Sequence, residues 1–425
     1  MNALLTDLYE LTMSAGFFAT GKFLERAVFE LSIRRLPRNR TFVLAAGLPQ
    51  AVDYLLNLKF EPAEIDYLRG LPHFANTSPA FFDYLRDFRF TGDLHAVPEG
   101  TPLFAGEPIL TVRAPLIEAQ LPETYLLSAI TFPTLIATKA ARIVEASAGR
   151  DVAEFGTRRA HTPEAGVLGA RAAYIGGCSG TSNALAGYRY GIPVVGTAAH
   201  SWVMAFASET EAFRELQKLL GTNTVHLIDT YDTIEGARKA IEVGGPLWGV
   251  RLDSGDLLAL SFQVRAMLDE AGLSDAKIMA SGDLDEYKIR ALLAVGAPLD
   301  AFGVGTELAT SGDAPSMGAV YKLVEIERNG ERRYTAKRSE GKHTIPGEKQ
   351  IFRFADRDVL GRADQSADGG EALLRPVILG GKLVGPLPDV HGARQRAAHS
   401  LANLPNPESF RVEHSAALEA LEQSL

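Results

Sequence analysis

The sequence predicts an α/β protein, a β/α-barrel accompanied by an α+β part. The first observation is that short apolar runs end again and again in polar turns. They do so at Glu154-Phe155-Gly156-Thr157-Arg158-Arg159, Gly196-Thr197-Ala198-Ala199-His200-Ser201 and Ile228-Asp229-Thr230-Tyr231-Asp232. They do so again at Arg251-Leu252-Asp253-Ser254-Gly255-Asp256, Ser281-Gly282-Asp283-Leu284-Asp285 and Gly303-Val304-Gly305-Thr306-Glu307. The second is that a helical pattern follows most of these turns; repeated strand–turn–helix units imply parallel strands joined by helical crossovers. The third is that polar side chains gather at the C-terminal ends of successive strands, as on the active face of a β/α-barrel.

A chain of 425 residues has room for two domains, or a barrel with additions, and its 46% apolar content is ample for a large core. A net charge of −9 and a pI near 5.6 argue against a nucleic-acid partner. They leave an anionic substrate open, because a local basic pocket can sit on an acidic protein. Cys178 is the only cysteine, so neither an intramolecular disulfide nor a cysteine zinc site is available. Asp7 and Glu10 come too early for a secretory signal, and the most apolar stretch, Leu126 to Ala137, is too short to span a bilayer. A soluble cytoplasmic protein with no membrane partner is expected.

Along the chain, residues 1–20 read as a helix with Leu4, Leu5, Leu8, Leu11 and Thr12 on one face and Tyr9 beside it. Ala27 to Arg34 alternates, with Phe29, Leu31 and Ile33 on one side, and reads as a strand; Thr41 to Ala46 reads as another after the basic turn Leu36-Pro37-Arg38-Asn39-Arg40. Helical patterns cover 47–58, 62–70 and 78–88, and strands are expected at Leu94 to Val97 and Ile109 to Val112. Residues 117–148 are strongly helical and lead into the β/α units, which run to about residue 310. Beyond them, Ala319 to Glu327 and Tyr334 to Arg338 flank Asn329-Gly330, a hairpin signal, and Gly380-Gly381 joins a weaker pair. Residues 389–403 and 415–424 are helical, and this tail has too little core of its own, so it is expected to fold onto the front of the chain.

The chemistry lies in the turns. Arg251 and Asp253 are two apart and project to one face of a strand, while Ser254 and Asp256 can cap the helix that follows. Phe155 before Arg158 and Arg159 offers a stacking face beside an anion clamp. Gly303-Val304-Gly305-Thr306 is a glycine-rich turn late in the barrel, where backbone N–H groups can approach phosphate. Ser281-Gly282-Asp283 sets an acceptor for sugar hydroxyls at a strand end. Asp229, Asp232, Asp253 and Asp256 offer oxygen ligands to Mg²⁺, directly or through water. Lys337 to Lys349, with Arg338 and Lys342, is a basic loop in an acidic chain. No Walker loop, Gly-x-Gly-x-x-Gly, His-Glu-x-x-His or Gly-x-Ser-x-Gly is present. The constellation suits phosphate, sugar and a flat ring.

Over nearly its whole length the chain resembles the nicotinate phosphoribosyltransferases. The resemblance is carried by Thr6-Asp7-Leu8-Tyr9, Phe155-Gly156-Thr157-Arg158-Arg159, Gly196-Thr197 with Ala199-His200-Ser201, Arg251 to Asp256, Ser281-Gly282-Asp283, Gly303 to Thr306, and Pro346-Gly347 with Lys349-Gln350. It implies a type II phosphoribosyltransferase fold: an irregular, TIM-like β/α-barrel over 121–319, and an α+β open-faced sandwich built from both chain ends, 1–120 and 320–425. It implies an ATP-dependent ligase of NAD salvage that joins nicotinate to 5-phosphoribosyl 1-diphosphate, with Mg²⁺ as cofactor, ATP as co-substrate, and a homodimer with shared active sites. By resemblance, Phe155 and Tyr9 of the partner subunit sandwich the pyridine ring, and Arg251 and Ser201 hold its carboxylate with Arg158 beside them. Asp253 and Asp283, with Gly282 between strand and acid, take ribose hydroxyls, and Asp253 and Asp256 are the Mg²⁺ candidates. Gly303, Gly305 and Thr306 hold the 5′-phosphate, and Arg38, Lys337, Arg338, Lys342 and Lys349 are candidate diphosphate contacts. His200 would be the phosphorylated histidine. The runner-up activity is nicotinamide phosphoribosyl transfer; relatives using the amide carry an aspartate where this chain has Ala198. The turn Leu36 to Arg40 departs from the glycine-rich turn of many relatives.

Overall fold

The computed structural model describes residues 3–339, 343–366 and 369–425. It divides into two compact units, Met1–Leu135 with Ser316–Leu425, and Ile136–Pro315. The division falls within the helix Glu123–Ala146.

The first unit is built on a seven-stranded antiparallel sheet in the order Glu331–Tyr334, Gly318–Arg328, Arg26–Arg35, Pro108–Pro115, Asp93–Ala96, Arg375–Leu379, Lys382–Leu383. Strand Arg26–Arg35 therefore pairs with a segment from the far end of the chain, Ala27 opposite Ile326. Both hairpins form at the expected glycines. Asn329 and Gly330 have φ of 53° and 81°, and Gly380 and Gly381 have 55° and 71°, the left-handed pairs that a two-residue type I′ turn requires. Phe29, Leu31 and Ile33 face the core together, and Phe29 stacks on Tyr321 at 5.1 Å.

Three expectations are corrected here. The strand predicted at 41–46 shrinks to Val43–Leu44. The first helix, Leu8–Ala19, buries Glu10, Leu11 and Ser14, while Leu5 and Leu8 are exposed. Leucine spacing alone chose the wrong face, because a buried glutamate displaced it. Part of the basic loop is a strand: Lys349–Arg353 pairs with Arg357–Arg362 in a four-stranded sheet that the sequence reading did not contain.

By length and composition alone the stretch Leu116–Ala146, longer than the Leu126 to Ala137 segment read from sequence, could cross a bilayer. Its most apolar window is 61% buried, the state of a core helix.

In the second unit six strands form one parallel sheet, ordered Gly180–Thr181, Asp151–Glu154, Ala301–Val304, Lys277–Ala280, Gly249–Leu252, Val225–Leu227. The first of these strands in the chain that pairs fully, Asp151–Glu154, lies beside the last, Ala301–Val304, with Glu154 opposite Val304. Val194 adds a single parallel bridge to Thr181. The helices Pro163–Ile175, Thr233–Val243, Leu257–Glu270 and Glu286–Ala294 are the crossovers. Side-chain caps start each of these four: Thr162, Asp232, Asp256 and Asp285. Lys139, buried on its helix, reaches Glu286 at 2.6 Å and Asp313 at 2.9 Å, and Arg142 completes the pairing of Glu286 at 2.9 Å.

Lys349 is fixed by the first unit's sheets. Its ammonium is 2.7 Å from Glu30, both side chains nearly fully buried, and it donates to the carbonyls of Ile345 and Gly347. Burial pushes the Glu30 carboxyl up, and Lys349 beside it holds the rise back. The ammonium is enclosed by protein, which removes it from the diphosphate contacts expected from sequence. Lys349→Met strands a buried carboxylate and should destabilise the fold by about 3–5 kcal/mol. Lys337→Ala, at an exposed position, should leave the urea midpoint unchanged. A Lys349→Met protein of normal stability but raised KM for the phosphoribosyl donor would restore the original role.

Candidate active site

All the polar turns named above sit at the C-terminal edge of the parallel sheet. Along a strand, alternate residues share a face. Ala153 and Phe155, Met279, Ala301 and Val225 line one cavity of about 440 Å³ that also reaches Thr197 and Trp248. That volume falls in the range of small-ligand pockets.

Arg251, its side chain 12% exposed, is the centre of the polar cluster at these strand ends and reaches the cavity's edge through Thr197. Nε donates to Ser281 Oγ at 3.0 Å, Nη1 donates to Thr197 Oγ1 and to the Ala198 carbonyl at 3.4 Å, and Nη2 is 3.1 Å from Asp253 Oδ1. Ser281 in turn donates to Asp253 Oδ1. Burial raises the Asp253 carboxyl, but the Ser281 hydroxyl, the Arg251 guanidinium and His200 together hold it below the usual carboxylate range. His200 opens the short helix His200–Met204; its Nε2 lies 3.7 Å from Asp253 Oδ2 and its Nδ1 3.2 Å from Thr230 Oγ1. Asp229 accepts the Asp253 N–H at 3.2 Å and the Ser254 hydroxyl at 2.5 Å, so Ser254 is a strut and Asp256 alone caps the next helix, accepting the N–H groups of Leu258 and Ala259.

The aromatic wall depends on a glycine. A Cβ on Gly303 would lie 2.5 Å from the Phe155 ring, so the missing side chain is what admits the ring. Gly303 is inside its strand, where the absence of a side chain makes room for the Phe155 ring. Gly305 and Thr306, after the strand end, are the open part of that motif. Gly282 has φ of 88°, and a Cβ there would meet the Asp253 carbonyl at 2.0 Å; glycine is obligatory at this crossing. Asp283 is exposed, and among the described residues nothing engages its carboxylate; its carbonyl accepts the Lys288 ammonium. Arg158 and Ser201 are also exposed, Arg158 in the turn Thr157–Arg159 without an ion-pair partner among the described residues.

The remaining predicted residues belong to the first unit. Tyr9 is 48% exposed on its helix, beside Glu10, whose burial pushes its carboxyl up to about 7. Arg38, Lys337 and Arg338 are exposed. Lys342 lies outside the described residues. The reading from sequence did not assign Thr197 and Thr230 roles of their own; both were visible within the turns, but nothing in the sequence says which threonine meets which base.

A parallel α/β sheet whose strand ends hold an arginine and carboxylates, with the Phe155 ring and Thr197 shared with an adjoining cavity, has the form of an enzyme-type site. Comparison with known proteins makes this specific. Residues 4–131 match the nicotinate phosphoribosyltransferase (NAPRTase) N-terminal domain, and residues 151–351 match the nicotinate phosphoribosyltransferase (NAPRTase) family. The chain is 43% identical to a nicotinate phosphoribosyltransferase of Mycobacterium tuberculosis, over 97% of this chain and 89% of that protein. It is 46% identical to that of Bacillus subtilis, over 84% of this chain and 74% of that protein. The crystal structure of human nicotinic acid phosphoribosyltransferase superposes with a TM-score of 0.85 at 29% identity, covering 99% of each chain. The chain belongs to the nicotinate phosphoribosyltransferase family.

The Asp253 interactions carry a pH signature. A carboxyl whose folded pKa is depressed adds stability that is present above its unfolded value of about 3.9 and is lost as pH falls through the folded one. Asp253→Asn should therefore be less stable than the parent at about pH 6, with the gap closing as pH falls below about 4. A gap of constant size across that range would mean that the Arg251–Asp253 pair adds nothing through its charge.

Proposed function

We propose that the protein joins nicotinate to 5-phosphoribosyl 1-diphosphate, giving nicotinate mononucleotide and diphosphate. The observation that carries this reading is the Arg251 guanidinium, held at a strand end beside a turn in which Ala198 supplies no carboxylate. The family membership and the names of its relatives support the same substrate.

The bond from the pyridine nitrogen to the anomeric carbon forms as the bond from that carbon to diphosphate breaks. Positive charge grows on the ribose ring and negative charge on the leaving diphosphate. Preorganised charge is therefore the main catalytic contribution the protein can make. Phe155 stacks on the ring, Arg251 and Ser201 meet its carboxylate, and Arg158 lies toward the phosphates. Asp253 and Asp283 take the ribose hydroxyls, and Gly305 and Thr306 hold the 5′-phosphate, with Arg38, Lys337 and Arg338 toward the diphosphate. Mg²⁺ keeps several waters and needs only one or two carboxylates alongside phosphate oxygens. Asp253 Oδ2 and Asp283 fit that need; Asp256 fits it poorly, since its Oδ1 already accepts two helix N–H groups. When bound, Mg²⁺ would neutralise charge on the diphosphate.

The finer parts of the reading are a type II irregular barrel, a cytoplasmic setting, ATP coupling and a dimer. In the coupling, the γ-phosphoryl of ATP passes to a ring nitrogen of His200 with ADP leaving, and then to water. In the dimer, the half-exposed Tyr9 of one protomer closes the ring slot of the other.

One assay tests the chemistry: diphosphate release with nicotinate or nicotinamide, with and without ATP. An amide leaves its NH₂ unpaired at about 1–3 kcal/mol, while the carboxylate gains charge-assisted bonds. Together these should favour nicotinate by at least ~10²-fold in kcat/KM. Arg251→Ala should erase most of that preference, Ala198→Asp should reject nicotinate, and His200→Ala should abolish ATP hydrolysis. A parental ratio near one would favour the amide-using alternative, and intact hydrolysis would take His200 out of the mechanism. For the dimer, mixed Tyr9→Ala and Asp253→Ala protomers should regain activity at hybrid sites; hybrids that form but stay inactive would place each site within one chain.

A further inference from the structure

Glu154 ends the strand Asp151–Glu154 and is 2% exposed, yet the reaction as described gives it no task. Asp151, Ala153 and Phe155 line the cavity, so the alternate residue Glu154 faces away from it. Its carboxylate cannot touch a base stacked on Phe155. What it touches is the turn that carries Phe155. Oε1 accepts the Gly156 N–H, and Oε2 accepts the Thr181 hydroxyl at 2.6 Å. Thr181 Oγ1 accepts the Asn183 N–H at 2.9 Å, and the Asn183 amide donates back to Thr157 Oγ1 at 3.1 Å.

The chain of bonds thus runs from Glu154 through Thr181 and Asn183 to Thr157, closing around Phe155 and Gly156. The other side of the turn is fixed as well. The Phe155 N–H donates to the Val304 carbonyl at 2.8 Å, and a Cβ on Gly156 would strike Ala309 at 2.4 Å and the Gly305 carbonyl at 2.8 Å. Among the described residues Glu154 meets these donors without a cation beside it, and burial pushes its carboxyl up. A buried acid with only neutral partners is a costly way to tie a turn, and such local costs concentrate where a site needs fixed geometry.

We propose that Glu154, acting through Thr181 and Asn183, is a positioning residue that fixes the Phe155 ring for the base and so sets the affinity for nicotinate. This rests on Phe155 being the stacking wall of the nicotinate site. Thr181→Val and Glu154→Ala should each raise the KM for nicotinate roughly ten-fold, the weight of one buried hydrogen bond, with the KM for the phosphoribosyl donor nearly unchanged. Glu154→Gln keeps an acceptor for the Gly156 N–H and should recover most of the loss. In a double-mutant cycle, Thr181→Val placed on Phe155→Leu should add less than about two-fold, because the ring it positions is already gone. The two KM values rising together, or fully additive effects with Phe155→Leu, would overturn the positioning role and leave Glu154 as part of the general fold. If Glu154→Ala does not fold, Thr181→Val, which removes only a hydroxyl, decides between the same outcomes. A parent protein that turns over the donor with a different base, and not with nicotinate, would overturn the activity reading itself and this proposal with it.

Discussion

A guanidinium withdrawn from water must have its donors met, and at the end of a strand the backbone cannot meet them all. Arg251 solves this with the ends of three separate chain segments: Thr197 and Ala198, its own strand's Asp253, and Ser281 of the neighbouring strand. Ser281 both accepts from Arg251 and donates to Asp253, so the three side chains form a closed ring. The ring brings its own requirements. Gly282 must lack a side chain for the Ser281 turn to pass the Asp253 carbonyl, and Asp229 must hold the Asp253 turn from below. Asp253, fixed on one oxygen by Arg251, presents the other to His200. A parallel sheet is what makes this possible, because it delivers every strand's C-terminal end to one edge.

The first unit depends on pairings of a different kind. Its strand Arg26–Arg35 joins residues near the start of the chain to residues near its far end, Ala27 to Ile326, and the buried pair Glu30–Lys349 makes a second such connection. Glu10 adds a carboxylate inside the same unit, and Gln120 donates to its Oε2 at 2.5 Å. Glu10 is buried with Leu11 and Ser14 on the inward face of the helix that carries Tyr9, and this burial pushes its carboxyl up to about 7.

Much of this was legible in the sequence, for a physical reason. Strand-to-helix turns are local, and their chemistry is written in consecutive residues: Asp256 announces a cap, and Asn329-Gly330 announces a hairpin. Arg251 and Asp253 were readable as partners because a strand puts alternate residues on one side. The departures at the site concern long-range contacts. Lys349 in a basic loop looks like an anion contact until Glu30, distant in sequence, is found beside it. The room that Gly303 leaves for the Phe155 ring is not written in the turn that contains it. Glu154, read only as the end of an apolar run, needs Thr181 and Asn183 in place before it has a role. No pattern within one segment contains these partners.

The charge balance shows why the site must be built this way. The chain carries a net charge of −9, and the proposed substrates are anions, so the surface as a whole repels what the site must collect. At physiological ionic strength, exposed charges are screened beyond a distance of about 8 Å, so the general surface counts for little once a substrate reaches the strand ends. What it meets there is set by the few groups that are close and half-buried. Arg158 and Arg159 are exposed without a carboxylate to neutralise them among the described residues, whereas Arg251 is paired with Asp253. In the proposed reaction the unpaired arginines would attract the substrate and the paired one would orient it. Arg251, already held in a fixed plane by Ser281, Thr197 and Asp253, loses little freedom when a carboxylate arrives, and a donor array that is rigid before binding discriminates by geometry more than by charge. An acid and an amide of the same shape differ in which donors and acceptors they present as well as in charge, so under the proposed reaction this short-range array, more than the balance of charge over the molecule, would select between them.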